Sequence, residues 1–283
     1  MRLIPFDLRE RLFSLALMLS RVLLLFRVLL LSSLLVVSAQ AQAECIVLLH
    51  GLLRSDSSFT KMSQHLEKQG YTVINQDYPS TQTNIETLAP GTINSALGQC
   101  DQQEAISFVT HSMGGILVRY YLKHFDIPTL KTVVMLAPPN AGSEIVDKLS
   151  SLPPFEWLNG PAGSQLGTDD TSMPIVLGAV DYNLGVIAGS DSINPILSML
   201  IPGDDDGKVA VERTKVKGMR DHIVLPVSHP FIMKDKEAIN QTIFFLKNGK
   251  FSASKETPKT NSMKIQSSAQ DKNVSVFKSS PFS

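Results

Sequence analysis

The chain has 283 residues, 43% apolar and 18% charged, with 26 basic and 26 acidic side chains and no net charge. That is ample material for a core and it excludes a polyelectrolyte, so nucleic acid is not an expected partner.

Arg2, Arg9, Arg11, Arg21 and Arg27 precede the apolar run VLLLSSLLVV (28–37), and the small-residue stretch AQA (41–43) follows. Basic, then apolar, then small is the order of a secretory signal, here residues 1–43 with cleavage after Ala43; Met18 as the true start would leave a signal of ordinary size. The rival is an inner-membrane anchor over residues 12–37, long enough to span, but Arg21 and Arg27 would each cost roughly 2.5–3.5 kcal/mol near a bilayer centre. Glu44 directly before Cys45 is the wrong neighbour for a lipid-modified cysteine. The reading is therefore an exported protein, periplasmic or secreted. Its only cysteines, Cys45 and Cys100, are an even count in a compartment that permits disulfides.

Residues 44–247 are about one domain in length. Short apolar runs alternate with helical patterns along it: CIVLLHG (45–51), a helix over 57–70, YTVINQDYP (71–79), and a helix over 84–97. Then come AISFVTH (105–111) with MGGILVRYYLKHF (113–125), and KTVVMLAPP (131–139) with SEIVDKLSSL (143–152). VIAGS (186–190), DHIVLPVSH (221–229) and a closing helix within 230–249 complete the series. Continuous β-branched runs between amphipathic helices predict an α/β fold with a parallel sheet covered on both faces, its active site at the carboxyl ends of the strands. Two stretches break the rhythm, about 142–185 and 192–205. Their apolar content fits cap-like insertions over a site, with core packing an equal account of LPPFEWL and SINPILSML. Residues 248–283, rich in Lys, Ser, Thr and Gln, read as a disordered tail whose lysines allow transient contact with an anionic membrane surface.

Ser112 stands at a strand-to-helix turn with Gly114 two positions on. A nucleophile there projects above the sheet from a strained turn, and the residues two before and two after must be small. The position two before is Thr110, acceptable if its Cβ points away from the helix. A helix N-cap is the competing role for Ser112. The N–H of Met113, at the positive end of the helix, and that of Leu52, in the His50-Gly51 turn, can face an oxyanion. A serine nucleophile needs a base and an orienting group. His65 and His124 read as surface residues on helices, His50 belongs to the glycine turn, and His111 is expected to project away from Ser112. His222 begins the last strand, at the wrong end. His229, at the carboxyl edge, is the base. Among Asp204, Asp205 and Asp206 the choice is Asp206, next to Gly207, although any of the three fits the pattern. No cofactor is expected, and a calcium role for the aspartates lacks a second ligand cluster.

The order Ser112, Asp206, His229 is that of α/β-hydrolases. Together, LLHGLL, VTHSMGG, LAPPNAGS, DDDGKVAV and LPVSHPFIM resemble the bacterial lipase and esterase branch of that superfamily, over residues 44–247. The resemblance implies a minimal α/β-hydrolase fold of about six mostly parallel strands, and a serine hydrolase forming an acyl-enzyme from an acyl ester; the apolar runs LPPFEWL and SINPILSML favour a lipid-like substrate, and a monomer is expected. It also implies that the strands beginning after Cys45 and Cys100 are neighbours, which would join the two cysteines in a disulfide. Acyl transfer, thioester or amide hydrolysis on the same residues, and a non-catalytic binding protein, are the alternative functions. Amino-terminal sequencing of exported protein is expected to find Glu44; a terminus within residues 1–37 would establish the anchor instead.

Overall fold

Six strands set the frame: β1 (Glu44–Leu49), β2 (Thr72–Gln76), β3 (Ala105–His111), β4 (Leu130–Leu136), β5 (Leu184–Gly189) and β6 (Asp221–Leu225). They form one sheet in the order β2-β1-β3-β4-β5-β6, with every neighbouring pair parallel. The computed structural model describes residues 13–15, 17–27, 44–150 and 153–253. The apolar run and cleavage site of the expected signal, and the expected tail from residue 254 on, lie outside the described residues. Residues 17–27 are helical, and among the described residues no helix is long and apolar enough to cross a membrane.

The helices are α1 (Thr60–Glu67), α2 (Ile85–Leu97), α3 (Met113–His124), α4 (Glu144–Leu149), α5 (Pro153–Ser164), α6 (Met173–Leu177), α7 (Pro195–Ser198) and α8 (Lys236–Asn248). Alternate residues of each strand serve opposite faces, as the pleat requires. Val47, Leu49, Phe108, Met135 and Val186 pack with residues of α2 and α3 on one face. Ile46, Leu48, Val109, Val134 and Ile187 pack with residues of α1 and α8 on the other. Burial on both faces is why the inner strands read as unbroken apolar runs, whereas the edge strand β2 (TVINQ) keeps polar residues and partial exposure. Asn84 and Asp235 cap α2 and α8 by accepting the N–H groups of Thr87 and Ala238, each cap contributing about 1 kcal/mol.

Packing runs past the boundary expected at residue 247. Gly249 ends α8 in the left-handed region, and the chain turns back so that the buried ring of Phe251 lies 4.7 Å from that of Phe245.

The amino edge of the sheet is tied across three strands. Buried Glu44 at the start of β1 accepts from the Ser107 hydroxyl of β3 and pairs with Lys131 of β4. Cys45 is bonded to Cys100 just ahead of β3, with the two Cα atoms 5.9 Å apart. Farther along, the Arg119 guanidinium of α3 is buried and donates to the carbonyls of Asn140, Pro174 and Gly178, which fastens the segment after β4 and the end of α6 to the sheet. Desolvation lowers its pKa to about 10, so it remains charged at neutral pH.

The disulfide spans a separation of 55 residues. Replacing Cys45 and Cys100 together by Ser is expected to lower unfolding stability by roughly 2–5 kcal/mol, read as a lower urea midpoint. Two alkylatable thiols in unreduced protein would contradict the bridge.

Candidate active site

The chain order reverses between β1 and β3, since β2 lies on one side of β1 and β3 on the other. Ligands of parallel sheets sit outside the carboxyl ends of strands at such a point. The rim there carries strained backbone. Leu53, Ser112 and Ala137, the three non-glycine residues at positive φ among those described, follow β1, β3 and β4 with φ of 57°, 54° and 49°. Conformations of this kind cost about 1–3 kcal/mol each and persist where packing over-determines them.

At Ser112 the packing can be named. The Ser112 N–H donates to the Leu136 carbonyl of β4 at 2.9 Å, and one residue later the chain is already helix α3. The first turn of α3 presses on the end of β1: a Cβ at Gly114 would stand 2.5 Å from the Leu49 carbonyl oxygen and 2.8 Å from that of His50. A Cβ at Gly51 would likewise meet His111 Nδ1 at 2.8 Å and Ser112 Cβ at 3.0 Å. Both positions therefore need glycine for close approach. Thr110 does not point away from the helix as the sequence reading required. It lies on the α3 face, and a Cβ at Gly115 would fall 3.2 Å from its Oγ1, so the missing side chain of Gly115 makes its room.

The Ser112 side chain does not cap α3. Its Oγ is 3.1 Å from His229 Nε2, and His229 Nδ1 donates to Asp206 Oδ2 at 2.7 Å. The three expected residues thus meet. Asp206 is fully buried, and its Oδ1 accepts the N–H groups of Lys208 and Val209, which leaves Oδ2 aimed at the ring. The neighbouring aspartates are otherwise engaged: Asp205 accepts from the Gly207 N–H and the Ser198 hydroxyl, and Asp204 is exposed. Strand β6 stops at Leu225, earlier than expected, so His229 is delivered by the loop beyond it. The N–H groups of Leu52 and Met113 have no acceptor among the described residues.

His111 departs from expectation. Its ring lines the site with its centroid 4.7 Å from that of His229, and its Nε2–H donates to the His229 carbonyl at 3.0 Å. Burial, then the positive potentials of His229 and Arg54, holds its pKa well below the usual value, so the ring is neutral. The signal was available in the strand period: His111 follows Val109 on the α1 and α8 face, the side from which the His229 loop arrives. The His229 peptide is consequently held at both ends, its own N–H donating to the Asp206 carbonyl at 2.9 Å. His50 stays in its turn, buried and stacked on Tyr78 with centroids 4.0 Å apart.

A cavity of about 230 Å³ opens over Ser112 and His229. Ile145, Val146 and Leu149 of α4, Leu158 of α5, Leu166 and Leu197 of α7 supply apolar wall, so parts of both irregular stretches face the site.

No protein-family model matches the chain, and no curated protein matches it. Solved structures do. The chain is similar to the mature lipase BlEst2 of Bacillus licheniformis, at 20% identity over 72% of this chain and 92% of that one, with a TM-score of 0.54. It is similar to the metagenomic carboxyl esterase MGS0156, at 18% identity over 68% and 66% with a TM-score of 0.55. It is also similar to the phospholipase PlaB of Legionella pneumophila, at 18% identity over 61% of this chain and 46% of that one, with a TM-score of 0.50. With its six parallel strands flanked by helices, the protein has the α/β-hydrolase fold. This is the fold of those lipase and esterase structures.

The close approach at Gly114 is testable against a glycine with free space. Gly114→Ala is expected to destabilise by roughly 1–3 kcal/mol or more through overpacking against backbone. Gly91→Ala, inside α2 with nothing within 4 Å, is expected to be neutral or to stabilise by up to about 1 kcal/mol. Urea unfolding of the pair reads the contrast.

Proposed function

We propose that this chain is an exported serine hydrolase that cleaves carboxylic esters with apolar acyl groups. The observation that carries the reading is the hydrogen-bonded sequence Ser112 Oγ, His229 Nε2, His229 Nδ1, Asp206 Oδ2, at 3.1 and 2.7 Å, at the mouth of an apolar cavity. In this reading Ser112 Oγ attacks the ester carbonyl while His229 Nε2 takes its proton. Asp206 fixes the tautomer and stabilises the imidazolium. The negative charge on the former carbonyl oxygen is met by the N–H groups of Leu52 and Met113, and preorganised donors of this kind are worth about 3–4 kcal/mol each in the transition state. Collapse expels the alcohol, which receives the proton from His229, and leaves an acyl group on Ser112. Water, deprotonated by the same imidazole, then releases the acid and restores the serine.

His111 is a positioning residue in this scheme, because it holds the backbone of the base and reaches no reacting atom. The cavity walls support apolar acyl groups, with each buried methylene adding up to about 0.8 kcal/mol of binding. The similar structures are a lipase, a carboxyl esterase and a phospholipase, which agrees with ester substrates. Export is supported by the basic, apolar, small order of the first 43 residues and by the Cys45–Cys100 bond.

A fluorophosphonate probe is expected to label the wild type at Ser112 and to leave Ser112→Ala unlabelled. Unlabelled wild type would remove the catalytic reading in favour of a binding protein. On p-nitrophenyl esters Asp206→Asn is expected to lower kcat by about 10⁴, and kcat/KM of the wild type should rise with acyl length until the cavity is full. His111→Phe is expected to lower kcat by about tenfold through misplacement of the base, with KM nearly unchanged; equal losses in both would indicate general damage instead.

A further inference from the structure

Two cations stand at the rim of the cavity that holds Ser112. Arg54 follows the Leu52-Leu53 turn beyond β1, Lys208 follows the Asp206-Gly207 turn, and both line the cavity and are exposed to solvent. Most of the remaining lining is apolar.

Neither cation forms an ion pair among the described residues. Among the described residues the ion pairs of Lys131, Lys215 and Arg213 lie elsewhere, and no carboxylate pairs with Arg54 or Lys208. Asp206 attracts the Lys208 ammonium, but it is fully buried, with one oxygen given to His229 and the other to two backbone N–H groups. The two cations also act on each other. Desolvation, and then the Arg54 charge, lowers the pKa of Lys208, and both charges help to keep His111 neutral. Like charges converging at a pocket whose described lining holds no carboxylate are unfavourable in the empty site, and a bound anion lowers that cost. A guanidinium beside an ammonium matches phosphate oxygens, the first by its planar fork and the second as a point charge. The lining thus offers two solvent-exposed cations beside an apolar wall, a combination that suits a ligand with an apolar acyl chain and an anionic group.

We propose that the ester this site takes carries a phosphate in its alcohol portion, held at the cavity rim by Arg54 and Lys208. The proposal rests on the serine-hydrolase reading for its chemistry, and on the two unpaired cations for its specificity.

Two octanoyl esters test it, 1-octanoylglycerol 3-phosphate and 1-octanoylglycerol, both kept below their aggregation concentrations. A charged hydrogen bond is worth about 1.5–3 kcal/mol, or roughly tenfold or more per cation, so kcat/KM is expected to favour the phosphate ester by about a hundredfold. In Arg54→Gln/Lys208→Gln the ratio of the two values should fall to near unity, chiefly through KM of the phosphate ester. Arg54→Lys should retain most of it, and salt should lower it in the wild type. Fluorophosphonate labelling of each variant verifies an intact site. A ratio near unity in the wild type, or one unchanged in the double variant, overturns the proposal. So does a preference that appears only when the ester is presented in anionic vesicles, which would assign the cations to a membrane surface.

Binding to Ser112→Ala, which needs no turnover, separates the two readings. Octyl phosphate should bind at least about tenfold more tightly than octanol or inorganic phosphate, and lose that advantage when Arg54 and Lys208 are both Gln. Inorganic phosphate binding as tightly as octyl phosphate overturns the proposal. Selective octyl phosphate binding by a protein whose wild type resists the fluorophosphonate would keep the anion site and remove the hydrolase reading.

Discussion

Everything at the carboxyl rim depends on the passage from β3 to α3 being completed at a single residue. Ser112 is held at φ 54° because its N–H is fixed to β4 while the helix that follows is already pressed against the end of β1. That contact exists only because positions 51 and 114 have no Cβ. It brings the Leu52 turn and the start of α3 together, and with them two N–H groups that no acceptor takes among the described residues. The strain is local, about 1–3 kcal/mol, and the sheet on either side holds it in place.

The supporting structure is divided between the two ends of the sheet. Covalent and ionic ties gather at the amino edge, where Cys45, Glu44 and their partners join β1 to β3 and β4. The carboxyl edge is left to loops, and these are positioned by backbone hydrogen bonds. Asp206 and His229 are joined through main chain as well as side chain, and His111 fastens the other side of the His229 peptide. Asp206, His229 and His111, from three separate segments, are thereby joined by hydrogen bonds behind the serine hydroxyl.

Much of this was legible in the residues. Continuous apolar runs announced the inner strands because burial on both faces leaves no polar positions, and the residues just past those runs pointed to the rim. Asp206 was separable from Asp204 and Asp205 only in three dimensions, since the distinction lies in which carboxylate reaches His229 Nδ1, Asp205 being turned to Ser198 and Gly207 and Asp204 being exposed. His111 was misread because its neighbour in sequence was considered and its strand parity was not. For Thr110 the condition of a Cβ turned from the helix proved unnecessary: the space it needs is supplied by Gly115, five residues away in the first turn of α3. The irregular stretches had no period to read, and their placement follows from long-range ties such as those of Arg119 to Asn140, Pro174 and Gly178.

The position of β1 has a corollary. It is the first strand in the chain yet lies second in the sheet, with β2 and β3 on its flanks, and its first residues are buried and bridged. Six residues of strand, about 20 Å, separate that starting point from the rim. The start of β1 thus lies at the end of the sheet opposite the cavity, so the chain enters the sheet at the base and not at the rim.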